Sequence, residues 1–247
     1  MAKKDEYLPV VPTEETFPAL NPATSANIAE VIETNIGDSF SFQDLERIKF
    51  PTGGMTLWTI PTVDGEEHKD VLAGIIVAQK STRQYWKDAF SGGGAAPDCQ
   101  SFDMVKGTGL YQGVPCATCP LNQFGSAVNQ KGEPGKGKAC KEVKNVLIIL
   151  EGQLLPVLVA VPPTSLKALK QYNVKMASRG LPYYGAITEF RLRKTKNADG
   201  IDYAETIISM GSVLSAQQIE SIKSYVSGFS SALQNAAPAP SGPEFES

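Results

Sequence analysis

The four cysteines of the chain are its residues best suited to chemistry, because thiolates bind soft metal ions. They are Cys99, Cys116, Cys119 and Cys140, separated by 16, 2 and 20 residues. A C-x-x-C pair presents two thiolates from one tight turn, and one cysteine on each side completes a set of four. Four thiolates at about 2.3 Å form a closed tetrahedral zinc site. The spacing therefore predicts a structural Zn²⁺ site with no coordination position open for catalysis.

Other interpretations of these cysteines remain open. A redox C-x-x-C pair normally begins a helix that follows a strand, whereas the run GVPCATCPLNQ places Pro115 directly before Cys116. Two disulfides are expected mainly in oxidising compartments. Four unrelated thiols are the last alternative, although Asp98, Pro115, Pro120 and Lys141 directly flank them.

Residues 80–143 contain every cysteine and lack the apolar periodicity that predicts helices and strands. A structureless loop of this length is unusual inside a compact domain. Metal binding would supply the missing folding free energy, because binding and folding of such a unit are coupled. We therefore expect a zinc-binding insertion at about residues 80–143.

Apolar patterns on both sides of this insertion predict a mainly β, α+β domain. Strands are expected at 56–60, 71–79, 146–150, 155–161 and 186–194, and helices from Ser25, over 166–178 and over 215–233. Strands joined mostly by hairpins, with one helix inserted between them, favour a small antiparallel barrel of the oligonucleotide-binding (OB) type with flanking helices.

Composition predicts how this domain is bounded. Residues 1–24 are proline-rich and patternless, which is typical of a flexible N-terminal arm. An OB-like core is expected over 25–214, including the zinc-binding insertion, and a C-terminal helix over 215–234. The low-complexity, acidic composition of residues 235–247 predicts a disordered tail.

The net charge of −3 conceals a division along the chain. Residues 1–79 carry 5 basic and 13 acidic side chains, and residues 197–247 carry 1 basic and 6 acidic. Between them, residues 80–196 carry 17 basic and 7 acidic side chains, a surplus of ten positive charges. A cationic block of domain size favours a polyanionic ligand.

Cations and aromatic rings alternate within and beside the cysteine region. Cations that follow phosphates and rings that stack on bases are the components of single-stranded nucleic-acid binding. The residues predicted to contact nucleic acid are Arg83, Tyr85, Trp86, Lys87, Lys106, Tyr111, Phe124, Lys136, Lys138, Lys141, Arg191 and Arg193. For Trp86, a place in the barrel core is an equal alternative.

The chain offers little for catalysis, so a non-enzymatic protein is expected. Its one histidine, His68, lies in the acidic turn DGEEHKD, and no hydrolase, metalloprotease or kinase motif is present. Asp98 and Asp103 are candidate carboxylates for the enzyme alternative, a metal-dependent nuclease or other DNA-processing enzyme. The apolar runs are too short to cross a bilayer, and a cytoplasmic location without membrane contact is expected.

The runs PDCQSFDMVKGTG, CATCPLNQFGS, GKGKACK and LPVLVAVPPTSLKALKQY resemble a family of tailed-phage proteins that share this cysteine–glycine–lysine pattern. The resemblance covers roughly residues 80–195. In plan, the chain is similar to phage single-stranded-DNA-binding proteins in which an OB barrel carries a zinc-binding insertion and an acidic C-terminal tail.

This resemblance implies a protein of phage replication or recombination that acts in the host cytoplasm. Its ligand would be single-stranded nucleic acid, with DNA favoured, and its acidic tail would contact other replication or recombination proteins. A third hypothesis is a phage protein that binds a host protein of transcription or defence through its acidic N-terminal segment.

Overall fold

The computed structural model describes residues 9–37, 40–42, 44–51, 53–62, 65–87, 97–128, 132–196, 200 and 202–235. The strands of this part are β1 Arg47–Ile48, β2 Trp58–Thr62, β3 Gly65–Lys69, β4 Val71–Tyr85, β5 Cys99–Ser101, β6 Thr108–Gly109, β7 Lys141–Leu150, β8 Val157–Val161, β9 Ala186–Lys196 and β10 Asp202–Val213. Its α-helices are α1 Pro22–Ala26, α2 Ile28–Ile36, α3 Leu166–Ser178 and α4 Ala216–Asn235. None of these helices has the length and apolarity needed to cross a membrane.

The 15-residue strand β4 organises the main sheet, because it pairs with three other strands. Antiparallel β7 follows nearly its whole length on one side. On the other side, the start of β4 pairs with β9 and its end pairs with β5. β8 lies beyond β7 and is paired in parallel with β1, while β10 lies beyond β9. The sheet curls into a half-barrel, and a separate hairpin joins β2 to β3.

Both faces of the sheet are buried, which explains the nearly continuous apolar runs of β4 and β7. Successive side chains of a strand point to opposite faces, so Ile75 and Ile76 enter different cores. The Ile75 face packs against α2, α4 and the segment before α1. The Ile76 face packs against α3 and Trp58, whose indole Nε1 donates to the carbonyl oxygen of Phe190 at 2.9 Å.

The expectation of a loose arm over residues 1–24 is wrong for its second part. Phe17 and Leu20 are buried in the core that contains α4. The carbonyl oxygens of Val10 and Pro12 also accept hydrogen bonds from Ser212 Oγ and Gln218 Nε2, both at 2.8 Å. Apolar side chains separated by prolines lack a periodic pattern, yet they can still fill a core. Residues 1–8 of the predicted arm lie outside the described residues.

The helix predictions are confirmed with corrected ends. α3 spans the predicted residues 166–178, and Gly180 follows it with a φ of 72°. Ser165, the N-cap residue of α3, makes no capping hydrogen bond with its side chain, and its hydroxyl oxygen accepts from the backbone N–H of Thr206. The helix expected from Ser25 is two short helices separated at Asn27. The predicted tail lies beyond the described residues except for Asn235, which ends α4.

Candidate metal centre and nucleic-acid surface

The cysteines lie in one substructure, the described residues 97–128 and 132–140, which we call the cysteine unit. β5 attaches this unit to the end of β4, where Tyr85 pairs with Cys99. At its other end Cys140 directly precedes β7, which pairs with the same part of β4. β5 and β7 therefore flank the same end of β4, with the first cysteine on one side of it and the last cysteine on the other.

All four cysteines line a single small cavity of about 10 Å³, about the space that one water molecule needs. Cys116, Cys119 and Cys140 are buried, Cys99 is half-buried, and none of the four forms a disulfide. The structure therefore places the four thiols around one cavity. The identity of any bound ion stays a prediction.

The surroundings of the thiols act on their pKa values in opposite directions. Burial raises the pKa of the Cys99 thiol, whereas backbone hydrogen bonds from Tyr111 and Thr108 oppose this rise. Burial also raises the pKa of Cys140, and the nearby positive charge of Arg83 opposes it. Each thiolate in the cluster makes the next one harder to form. A divalent cation removes that conflict, because its charge stabilises several thiolates at once.

The donor atoms at this cavity are of the kind that zinc prefers, but the positions of the side chains do not form a zinc site. Four free thiols surround one cavity, and four thiolates are a donor set that structural zinc sites use. However, no three histidine, cysteine, aspartate or glutamate side chains among the described residues form a group that could hold a metal ion as placed. The thiols are neighbours, but they do not form a closed coordination sphere.

Asn122 connects the cluster to the surrounding cations, and the sequence analysis missed it. Its side-chain Nδ2 donates to the carbonyl oxygen of Cys116 at 2.6 Å. Its Oδ1 accepts from Arg83 Nη1 at 2.6 Å and from Lys138 Nζ at 3.2 Å. Asn122 ends the short 3₁₀ turn Pro120–Asn122 that follows Cys119. A polar residue ending a proline-initiated turn beside a C-x-x-C pair was the only available signal.

Several predicted nucleic-acid residues lie on the outside of the unit. Phe124 is 81% exposed, and Lys138 Nζ lies 4.8 Å from its ring centroid. Lys87 borders the unit at the end of β4, and Lys106 and Lys136 lie within it; all three are exposed. Lys141 is also exposed, although its Nζ donates to the carbonyl oxygen of Lys138.

Other predicted contact residues have a structural role or an intermediate environment. Arg83 lines the cysteine cavity and donates to Asn122. Tyr85 and Tyr111 pack edge to face, with ring centroids 6.4 Å apart, and Tyr111 also lines the cavity. Trp86 is half-buried where β4 ends, so it is not part of either sheet core.

The structure does not bring Arg191 and Arg193 to the cysteine unit. Arg191 is in register with Val71 at the start of β4, whereas the unit is attached at Tyr85, 14 residues further on. That separation is roughly 45 Å of strand at about 3.3 Å per residue. Both arginines also have acidic neighbours, Glu189 at 3.3 Å and Glu205 at 2.8 Å respectively.

The carboxylates of the nuclease hypothesis hold backbone groups in place. Asp103 Oδ1 accepts from Ser101 Oγ at 2.9 Å and from the N–H of Val105 at 2.7 Å, which stabilises the turn before Lys106. Asp98 Oδ2 accepts from the N–H of Lys87 at 2.7 Å. Neither carboxylate belongs to a metal-binding group among the described residues.

Comparisons with protein-family models, curated proteins and solved structures find no match for this chain.

Proposed function

We propose that the chain is a non-enzymatic protein that binds single-stranded DNA, with a structural Zn²⁺ ion held by Cys99, Cys116, Cys119 and Cys140. The curled sheet and the cysteine unit would together act as an OB-like module. The resemblance to tailed-phage proteins further supports a role in phage replication or recombination within the host cytoplasm. The acidic tail is then a candidate contact for partner proteins of those processes.

The observation that carries this proposal is the exposed ring of Phe124 beneath the ammonium group of Lys138. An exposed phenyl ring with a cation at its face can stack on a base while the cation approaches a phosphate. Phe102 and Leu110 add further exposed apolar surface to the same unit. Stacking does not depend on base identity, so low sequence preference is expected.

The proposed role of zinc is to hold this surface in shape rather than to react. Its four ligands would all be thiolates of the chain, so substrate would have no coordination position. Asn122 would hold Arg83 and Lys138 in fixed positions relative to the thiols, because its side chain also donates to the Cys116 carbonyl oxygen.

The test is equilibrium binding of a fluorescent oligothymidylate to the parent chain, Phe124→Ala and Leu57→Ala, with zinc measured in each. Leu57 is a matched control because it is an exposed apolar residue outside the cysteine unit. We expect Phe124→Ala to weaken binding by about 5- to 150-fold, the cost of one lost base–aromatic stack. Leu57→Ala should bind like the parent.

Two results would contradict the proposal. One is a parent chain whose affinity for single strands does not fall as salt rises, because phosphate neutralisation must release counterions. The other is unchanged affinity in Phe124→Ala.

A further inference from the structure

The cationic surplus of residues 80–196 is unevenly distributed over the folded chain. The described residues of the cysteine unit contain three lysines and three acidic residues. In contrast, residues 162–185, which include α3, contain four basic residues and no acidic one. The four are Lys167, Lys170, Lys175 and Arg179. The charged side chains of residues 162–185 are therefore all positive.

These four side chains face solvent because α3 is amphipathic. Leu169, Tyr172 and Met176 are buried against the sheet, and the helical repeat directs the residues between them outward. Lys167, Lys170, Lys175 and Arg179 are all exposed. We call them the α3 face.

The cations of the α3 face have no acidic partners within the described part of the chain. The cations of β9 differ, since Arg193 and Lys194 pair with Glu205 and Asp202 of β10 at 2.8 and 2.9 Å. A cation that already has a carboxylate partner gains less from a phosphate than an unpaired one does. The α3 face is therefore the better polyanion surface.

The α3 face and the cysteine unit lie on the same side of the sheet. The side-chain amides of Gln79 on β4 and Asn173 on α3 bond each other reciprocally, at 2.8 and 3.2 Å. Arg83 follows Gln79 by four residues, so its side chain leaves β4 on the same face, where it reaches Asn122. About 13 Å of strand separates the attachment points of the two surfaces.

A groove lies on the other flank of α3, between this helix and β10. Its volume is about 240 Å³, with Met176, Ile208 and Met210 providing apolar walls. Lys175 and Arg179 line the same groove. Apolar walls beside two cations suit an anion that carries a flat, uncharged ring, as a nucleotide does.

We propose that the α3 face is a second contact for single-stranded nucleic acid, continuous with the cysteine unit. Phosphates bind Lys167, Lys170, Lys175 and Arg179, and the groove between α3 and β10 receives a base. This inference rests on the proposed function, because it extends the path of the strand that the cysteine unit binds.

The test compares two triple variants in salt-titrated binding to oligothymidylates of about 4 and about 16 nucleotides, the range that one such module covers. Lys167→Gln/Lys170→Gln/Lys175→Gln alters the α3 face. Lys49→Gln/Lys69→Gln/Lys223→Gln alters exposed lysines elsewhere and changes the net charge equally. Unfolding midpoints of both variants should match that of the parent.

We expect the α3 variant to lose affinity for the long strand only. When salt falls from about 200 to about 50 mM, the affinity of the parent should rise about 20-fold more than that of the α3 variant, because the variant has lost three phosphate contacts. The control variant should show no such difference from the parent. Equal long-strand affinity in both variants overturns the α3 inference and leaves the proposed function standing. If the parent binds neither strand, both proposals are overturned. If the parent prefers duplex DNA of equal length, the assignment to single strands fails for both surfaces.

Discussion

The sheet and the cysteine unit are organised by different interactions. The sheet buries aliphatic and aromatic side chains on both faces, with Ile75, Ile76 and Phe190 fully enclosed. In the described residues of the cysteine unit, the buried hydrophobic side chains are the cysteines 116, 119 and 140 themselves. Several of its large apolar residues are exposed instead, namely Phe102, Val105, Leu110, Phe124 and Val128.

This difference shows what each region needs in order to fold. Burial of apolar area supplies the free energy that orders the sheet. The cysteine unit has little apolar area to bury, so its order rests on backbone hydrogen bonds, the Asn122 contacts and, as we propose, a bound metal ion. The three predictions that follow separate these two sources of stability.

The largest effect is expected from metal removal. Apparent binding free energies of structural zinc in small peptide units are about 10–16 kcal/mol, and that free energy is also folding free energy. A strong chelator should therefore bring amide exchange in residues 97–140 close to that of an unfolded chain, while β4 residues Val71–Ile76 and β7 residues Val146–Leu150 stay protected. Mass-spectrometric hydrogen exchange with zinc analysis measures both.

Re-addition of Zn²⁺ is the control for this experiment, since it should restore protection in the cysteine unit. A purified protein that contains no metal and whose cysteine unit is protected with or without chelator would refute the zinc assignment.

The second prediction removes apolar contacts from the sheet alone. Phe190 is fully buried beside Trp58, and Phe190→Ala should lower the free energy of unfolding by about 3–5 kcal/mol. Its zinc content should stay at the parent value. Urea denaturation followed by far-UV circular dichroism gives the free energy.

Phe124→Ala is the matched control for this change, because it removes the same side chain from an exposed position. Surface substitutions of this kind usually alter stability by less than about 0.5 kcal/mol. Equal effects of the two substitutions would contradict the division between an apolar sheet and a metal-dependent unit.

The sequence predicts the two regions unequally well. Strands β4, β7 and β8 and helices α3 and α4 follow from apolar periodicity, because the burial of one face repeats with the geometry of the element. The grouping of the four cysteines around one cavity also follows, because the C-x-x-C spacing can be read directly from the sequence. The burial of Phe17 and Leu20 does not follow, because their contacts come from distant segments.

Within the candidate site, residue type alone does not show where the side chains lie. Arg83, which is predicted to contact nucleic acid, lines the cysteine cavity and donates to Asn122. Arg191 and Arg193 lie far along the sheet, which pairing registers decide and composition does not. The α3 lysines were counted in the cationic block, but only the helix face shows that they share a surface.

The smallest effect concerns a close approach that organises the thiols. A Cβ added at Gly107 would lie 2.8 Å from the carbonyl oxygen of Tyr111 and 3.0 Å from Cys99 Sγ. Because the first of these atoms belongs to the backbone, Gly107→Ala must displace the loop from Thr108 to Tyr111, which supplies the hydrogen bonds to Cys99. Overpacking of this kind costs about 1–3 kcal/mol.

We therefore expect Gly107→Ala to weaken zinc binding by about 5- to 150-fold, measured by competition with a chromophoric chelator, without changing urea unfolding of the sheet. Gly137→Ala is the matched control, since its Cβ would meet only Ala127 Cβ at 3.7 Å and Lys141 Nζ at 3.9 Å. It should bind zinc like the parent. If Gly107→Ala instead lowers the stability of the sheet and leaves zinc affinity unchanged, the loop supports β5 and β4 rather than the thiols, and the two regions are not energetically separate.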